Sequence, residues 1–308
     1  MKISRTTIAD AATRIAPYVR LTPVLELEGG ALDVPGRVLL KLDLLQPTGT
    51  FKIRGAFNLL LATRPELVVA ASGGNFALAI AHAARVLGIQ AHLFVPDSSP
   101  PEKFQRLYDS GAEMTIVKGI YRDALAESRN FVAEAGGWLA HAYDQTEVVE
   151  GAGTCGLEIL DQVPEVDTIL VAVGGGGLIG GIASAVRGQA RVIGVETEGT
   201  PTLHSARTAG HPVDVEVSGL AVSSLGSSRL GDIAWEAAGQ WVADSLLVTD
   251  SAVVKAQLFL WETCRVIAEP GAATTVAALL SGVYVPAADE TVVALVCGAN
   301  VNPGTMFQ

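Results

Sequence analysis

The 308-residue chain is 49% hydrophobic and only 17% charged. That allows a well-buried core in one large domain or two coupled ones and excludes a disordered or fibrous chain. The formal net charge of −11 repels phosphate backbones, so no nucleic-acid partner is expected.

The N-terminus, MKISRTTIAD, has no apolar core and does not read as a signal peptide. Arg37–Leu42 is the first strand candidate. A loop, Pro47-Thr48-Gly49-Thr50-Phe51, follows it and delivers Lys52 near a helix start. An amine in that setting can be desolvated and partly deprotonated, as a Schiff-base lysine requires. Taken alone, a lysine in a turn is more often a solvated surface group.

Leu67–Ala71 is an apolar strand candidate, and Phe76–Leu87 a helix. Between them stands Ser72-Gly73-Gly74-Asn75. Free N–H groups at a helix N-terminus attract anions, and a substrate carboxylate would suit them. Ordinary N-capping explains Ser or Asn, but not two adjacent glycines. Strands at Ala91–Val95 and Thr115–Val117 then alternate with helices at Pro101–Ser110 and Tyr121–Ala135.

Residues 168–186 are uncharged and long enough to span a bilayer. The run of four consecutive glycines inside them would break such a helix. A buried strand at Thr168–Val173, a loop Gly174-Gly175-Gly176-Gly177 and a helix at Leu178–Arg187 explain the stretch better. Amides of such a loop can close on a phosphate at the helix N-terminus. The same run fits the dinucleotide pattern GxGxxG from Gly175 to Gly180. Glu196 ends the next strand, Val192–Glu196, where a ribose-binding acid belongs. An NAD-dependent oxidoreductase is therefore a competing reading.

Helices at Ala252–Ala268 and Ala272–Leu280 lead to a last apolar strand, Thr291–Cys297, followed by Gly298-Ala299-Asn300. Cys297 is a core cysteine or, at a strand's C-terminal end, a cofactor contact. Strands and helices thus alternate in βαβ order, with several strands apolar throughout. This predicts an α/β fold of parallel sheets covered on both faces. Residues 65–145 read as a small α/β domain inserted into a larger, discontinuous one made of residues 1–64 and 146–308. Cys155, Cys264 and Cys297 lack metal or redox spacing and fit a reducing cytoplasm.

Together, the lysine loop, Ser72 to Asn75, Gly174 to Gly177 and Cys297 to Asn300 resemble the fold-type II pyridoxal-phosphate enzymes, specifically the serine/threonine dehydratase family. Thr22-Pro23-Val24, Lys41 to Gln46 and Glu269-Pro270-Gly271-Ala272 extend the resemblance over nearly the whole chain. It implies a tryptophan synthase β-like fold, pyridoxal 5'-phosphate as cofactor and a cytoplasmic homodimer with no membrane partner. Lys52 would carry the cofactor and act as the catalytic base. Phe51 would lie on one face of the cofactor ring, and Gly219, in Ser218-Gly219-Leu220, on the other. Asn75 would bind the ring's phenolic oxygen. Gly174, Gly175, Gly176, Gly177 and the Leu178 amide would hold the phosphate, and Cys297 would face the ring nitrogen. Ser72, Gly73, Gly74 and Asn75 would grip the substrate carboxylate.

The implied reaction converts L-serine, L-threonine or a related 3-hydroxy amino acid to a 2-oxo acid and ammonia. A cysteine-synthase-like β-replacement is the alternative within the fold. Racemases of this fold carry a second serine just after the position of Ser72. Here that position is Gly73, so dehydration with little racemisation is expected. Some members bind a cation through a glutamate at the position of Glu196 and an aspartate soon after. No aspartate follows here, Glu198 being the nearest substitute, and no metal is expected. The chain stops soon after Asn300, so no regulatory domain of the feedback-controlled dehydratases is expected. The segment Ser223 to Arg229 departs from the common enzymes, and Ser223, Ser227 or Arg229 is expected near the substrate side chain.

Overall fold

A computed structural model describes residues 3–99, 101–302 and 304. Ten strands, β1 (Val24–Glu26), β2 (Arg37–Lys41), β3 (Leu67–Ala71), β4 (Gln90–Pro96), β5 (Glu113–Val117), β6 (Trp138–Ala140), β7 (Thr168–Ala172), β8 (Arg191–Thr197), β9 (Val242–Val248) and β10 (Thr291–Leu295), form two sheets among the described residues. The larger sheet has the order β1-β2-β10-β7-β8-β9, and the smaller β5-β4-β3-β6. All neighbours run parallel except the short β1, which pairs antiparallel with β2, Val24 opposite Lys41. β7 and β10 are buried at every position, which is why their sequences are apolar without alternation.

The chain leaves the large sheet after β2, builds the small sheet between residues 67 and 140, and returns to the large sheet at β7. The fold is therefore α/β with two domains, the smaller inserted in the larger. Twelve α-helices accompany the strands among the described residues: α1 (Arg5–Ile15), α2 (Lys52–Thr63), α3 (Asn75–Leu87), α4 (Pro101–Tyr108), α5 (Tyr121–Ala135), α6 (Thr146–Gln162), α7 (Gly177–Val186), α8 (Thr202–Ala209), α9 (Val222–Leu225), α10 (Asp232–Trp241), α11 (Asp250–Cys264) and α12 (Pro270–Leu280). The segment expected as one helix over 252–268 ends at Cys264, where Arg265 turns left-handed at φ 56°. The strand expected over 291–297 ends at Leu295, which leaves Cys297 in the connection beyond it.

Two helices, α2, of which the sequence signalled only the start at Lys52, and α6, which it did not signal, cross the middle of the molecule. Ile53, Ala56, Phe57, Leu59 and Leu60 of α2 pack into the core of the small sheet. In α6, Gly151 lets the Arg54 carbonyl approach to within 2.5 Å of where a Cβ would stand, and Gly153 does the same for the Gly181 carbonyl at 2.7 Å. Close packing of α2, α6 and α7 thus depends on glycines that would otherwise mark α6 as a poor helix.

Behind α2 lies a buried charge network. Arg54 bonds Asp43 at 2.6 Å and Glu158 at 2.7 Å, and Lys41 bonds Glu158 at 2.8 Å, with the side chains of Lys41, Asp43 and Arg54 fully buried. Two cations face two carboxylates, so the set is balanced. Burial opposes ionisation of Asp43, but the Arg54 and Lys41 charges hold its carboxyl below the usual range. Removing one member would leave an uncompensated charge and cost about 3–5 kcal/mol. Arg54 stands two residues after Lys52, so the network anchors the helix that begins at Lys52.

Candidate active site

Three strand ends converge. β3 leads into Ser72–Asn75, β7 into Gly174–Gly177, and β10 into Cys297, all at C-terminal ends, where α/β sheets bind ligands. The lysine loop is stitched to the third. The Phe51 N–H donates to the Cys297 carbonyl at 3.0 Å, and the Ala299 N–H to the Gly49 carbonyl at 2.8 Å. Gly49 adopts φ 74°, a left-handed turn that suits glycine.

One cleft of about 480 Å³ is lined by Phe51, Lys52, Asn75, Gly174 to Gly177, Leu178 and Cys297. Ser72, Gly73 and Gly74 stand half-buried just before Asn75, outside that lining. Gly219 is exposed, and a Cβ there would meet Asp250 at 2.5 Å. Nor do Ser223, Ser227 or Arg229 line the cleft. Ser224 and Leu225 do, and Arg229 lies 3.9 Å from Asp214 on the surface. Ser227 instead hydrogen-bonds the Tyr143 side chain.

Lys52 is the first residue of α2. Its ammonium donates to the Ala142 carbonyl at 2.8 Å and lies 5.0 Å from the Phe51 ring centroid. Desolvation brings its pKa down from 10.5 to about 8, against the opposing pull of the Glu269 carboxylate. The amine is therefore partly neutral near physiological pH, as a nucleophile or base must be. Burial pushes the Cys297 thiol up, and the nearby Glu269 carboxylate adds to it, so Cys297 stays a neutral thiol.

The glycine run is fixed by its surroundings. A Cβ on Gly175 would overlap the Tyr143 ring, one on Gly176 would meet Ala234 at 2.5 Å, and one on Gly177 the Tyr143 carbonyl at 2.7 Å. Gly176 also has φ 86°. Amides of Gly175, Gly176, Gly177 and Leu178 find no acceptor among the described residues and stand at the N-terminus of α7. Such donors fit a phosphate. Gly180, the last glycine of the dinucleotide-like pattern, lies inside α7 with Ala234 3.0 Å from its would-be Cβ, a packing role. Glu196 is fully buried and accepts from the Leu203 and His204 amides at 2.7 and 2.8 Å, so it caps α8 rather than facing a cleft.

Six cleft residues carried no site role in the sequence: Tyr143, Ala172, Ser224, Leu225, Glu269 and Gly271. Glu269 is the most consequential. Asn75 Nδ2 donates to its Oε1 at 2.7 Å and its Oε2 at 3.0 Å, while Asn75 Oδ1 accepts from Asn300 at 2.8 Å. Together these partners fix the orientation of the Asn75 amide. Glu269 belongs to a recognisable segment, but its partner is 194 residues away, and no local pattern reports that. Ser99 is a second addition. Its hydroxyl fills the space that a Cβ on Gly73 would need.

No helix among the described residues is long and apolar enough to cross a membrane. The profile of the pyridoxal-phosphate dependent enzymes matches residues 15–298. A serine racemase of Oryza sativa subsp. indica is 33% identical over 98% of this chain and 92% of the rice protein. An L-threonine ammonia-lyase of Thermotoga maritima is 33% identical over 87% of this chain and 68% of its own length. Among solved structures, maize serine racemase superposes with a TM-score of 0.94 at 31% identity, covering 100% of this chain and 97% of that one.

Proposed function

The chain belongs to the pyridoxal-phosphate dependent enzymes, in the serine/threonine dehydratase family of fold-type II, and on that premise we propose that it deaminates L-threonine, L-serine or a related 3-hydroxy amino acid to a 2-oxo acid. Its cofactor is pyridoxal 5'-phosphate. When bound, that group supplies an electron sink for the bonds at the substrate α-carbon. The observation that carries the reading is a single cleft holding a partly neutral Lys52 amine, the free amides of Gly175 to Leu178 and the neutral thiol of Cys297.

In this reading Lys52 would hold the cofactor, and its amine would take the α-proton of the substrate. The phosphate rests on Gly174 to Gly177 and the Leu178 amide. Phe51 lies against the ring, with Gly219 assigned to its other face by resemblance alone. Asn75, held by Glu269 and Asn300, addresses the ring oxygen. Cys297 faces the ring nitrogen. A neutral thiol there leaves that nitrogen uncharged and favours elimination of the β-hydroxyl over transamination. Ser72, Gly73, Gly74 and Asn75 receive the substrate carboxylate at the N-terminus of α3. The division into residues 1–64 with 146–308 and 65–145, and a cytoplasmic homodimer, belong to the same proposal.

Racemisation is the second reading. It is favoured by the likeness to the rice and maize serine racemases and by the Ser99 hydroxyl beside Gly73. Incubation of the purified holoenzyme with L-serine, L-threonine and bulkier 3-hydroxy amino acids separates the two. The dehydratase reading expects 2-oxo acid and ammonia in equal amounts with little D-isomer. Substantial D-serine from L-serine would overturn it in favour of the racemase.

A further inference from the structure

Glu196 sits at the end of β8, fully buried, beneath the glycine loop. Four protein donors converge on its carboxyl. The Leu203 and His204 amides and the Thr202 hydroxyl come from the first turn of α8, and Ser245 Oγ comes from β9 at 2.9 Å. Every one of these groups turns a hydrogen, and α8 its positive end, toward the carboxyl. A cation at Glu196 would face those hydrogens. The neighbouring Glu198 is exposed, and among the described residues no cluster of three or more His, Cys, Asp or Glu side chains could hold a metal. The residues present therefore do not fit the cation that other members hold at this place.

Thr202 connects this buried carboxyl to the cofactor site. Its hydroxyl lies 2.5 Å from the Gly174 carbonyl and 3.1 Å from Glu196 Oε1. The hydroxyl has one proton, and a carbonyl oxygen can only accept. The one proton is therefore shared, mainly with the closer Gly174 carbonyl and in lesser part with Glu196 Oε1, so the two acceptors together fix the direction of the hydroxyl. Gly174 opens the loop whose next four residues present free amides to the cleft. Fixing its carbonyl fixes the plane of the following peptide, and with it the Gly175 N–H.

We propose that Thr202 is a positioning residue for the cofactor phosphate: pinned by Glu196, its hydroxyl holds the Gly174 carbonyl and sets the pitch of the glycine loop, so that the chain's own donors do this work without a cation. The inference rests on the family reading and goes beyond it, because neither residue touches the cofactor cleft.

The test compares wild type, Thr202→Val and Thr202→Ser. Each apoprotein is dialysed against chelator and titrated with pyridoxal phosphate, and the bound phosphate is followed by its ³¹P resonance. Valine keeps the volume and removes the hydroxyl. Loss of one hydrogen bond to the loop is expected to raise the cofactor dissociation constant roughly fivefold to tenfold and to move the ³¹P resonance. Serine is expected to restore both. Added Mg²⁺ or Ca²⁺ is expected to change neither quantity in wild type. Wild-type affinity and an unmoved resonance in Thr202→Val would overturn the inference, even if its melting temperature fell. Cofactor affinity that collapses on chelation and returns with either cation would overturn it too. Failure of wild type to bind the cofactor at all would contradict the family reading instead.

Discussion

Two loops of this molecule are built alike and finished differently. Ser72–Asn75 and Gly174–Gly177 each follow a buried parallel strand and open a helix. Around Gly174–Gly177 every missing side chain is opposed by packed atoms, from Leu225, Tyr143, Leu230 and Ala234. At Gly73 the obstacles are side-chain atoms alone, the hydroxyl and Cβ of Ser99 and a methyl of Val95 at 3.3 Å. The first two glycines of the larger-sheet loop are half-buried and the last two buried, whereas all four residues of the other loop are half-buried. A rigid cradle suits a group that stays, and a more open one suits a molecule that comes and goes. That contrast is what the proposed roles, Gly174–Gly177 for the cofactor and Ser72–Asn75 for the substrate, lead one to expect.

Lys52 stands between these loops, and its replacement should have the largest effect. Lys52→Ala is expected to lower 2-oxo acid release by at least about 10²–10⁴-fold, the range for loss of a positioned base. Cofactor should still enter the cleft on the glycine amides, visible as absorbance lost on gel filtration. Retention of near-normal turnover would break the account of both loops at once.

Gly175→Ala tests the rigid loop. Its methyl would overlap the Tyr143 ring, which costs about 1–3 kcal/mol as overpacking. The cofactor dissociation constant should rise roughly tenfold or more, with a smaller change in KM. Gly73→Ala tests the open loop and should show the reverse pattern. The Ser99 hydroxyl can rotate away and its Cβ, 2.8 Å off, makes the Ser99 segment shift rather than the glycine loop, so cofactor affinity stays near wild type, while KM for the amino acid rises by roughly a few-fold. Equal effects of the two substitutions on cofactor binding would remove the distinction between the loops.

The smallest effect is a titration. The apoprotein Lys52 amine has its proton affinity lowered to a pKa of about 8 by desolvation. Below that pH it is mainly charged, and above it mainly neutral. The rate of cofactor attachment to the apoprotein should therefore climb through about pH 8 and level off above it. Glu269→Gln removes a carboxylate that raises the Lys52 pKa, so the midpoint should move to lower pH. A midpoint that stays put, or moves up, would count against a Lys52–Glu269 interaction.

The parts of the fold visible in sequence were those set by local pattern. β7 and β10 read as buried strands because every position is apolar. Both glycine loops stood out because they sit between a strand and a helix. The course of α2 beyond its start at Lys52 and the whole of α6 did not, for opposite reasons. α2 is buried around most of its surface and shows little amphipathic contrast, and α6 carries Gly151, Gly153 and Gly156, which depress helix propensity but allow close contact with α2 and α7. The site was legible where one motif supplied several residues, as in Phe51-Lys52 or Gly174 to Leu178. It was opaque where a residue acts through a distant partner. Glu269 acts on Asn75, Ser99 fills the space beside Gly73, and Tyr143 covers Gly175, and each pairing exists only after the two sheets are assembled. Glu196 shows the converse. Its spacing from the glycine run suggested a ribose ligand, yet burial and the first turn of α8 commit its carboxyl to the protein itself.

Borohydride reduction of the holoenzyme tests the central claim most directly. The yellow colour should bleach, and peptide mapping should find the reduced cofactor's mass on the peptide that contains Lys52 and on no other. Cofactor fixed to Lys41, Lys118 or Lys255 instead, or a preparation that takes up none, would contradict the account.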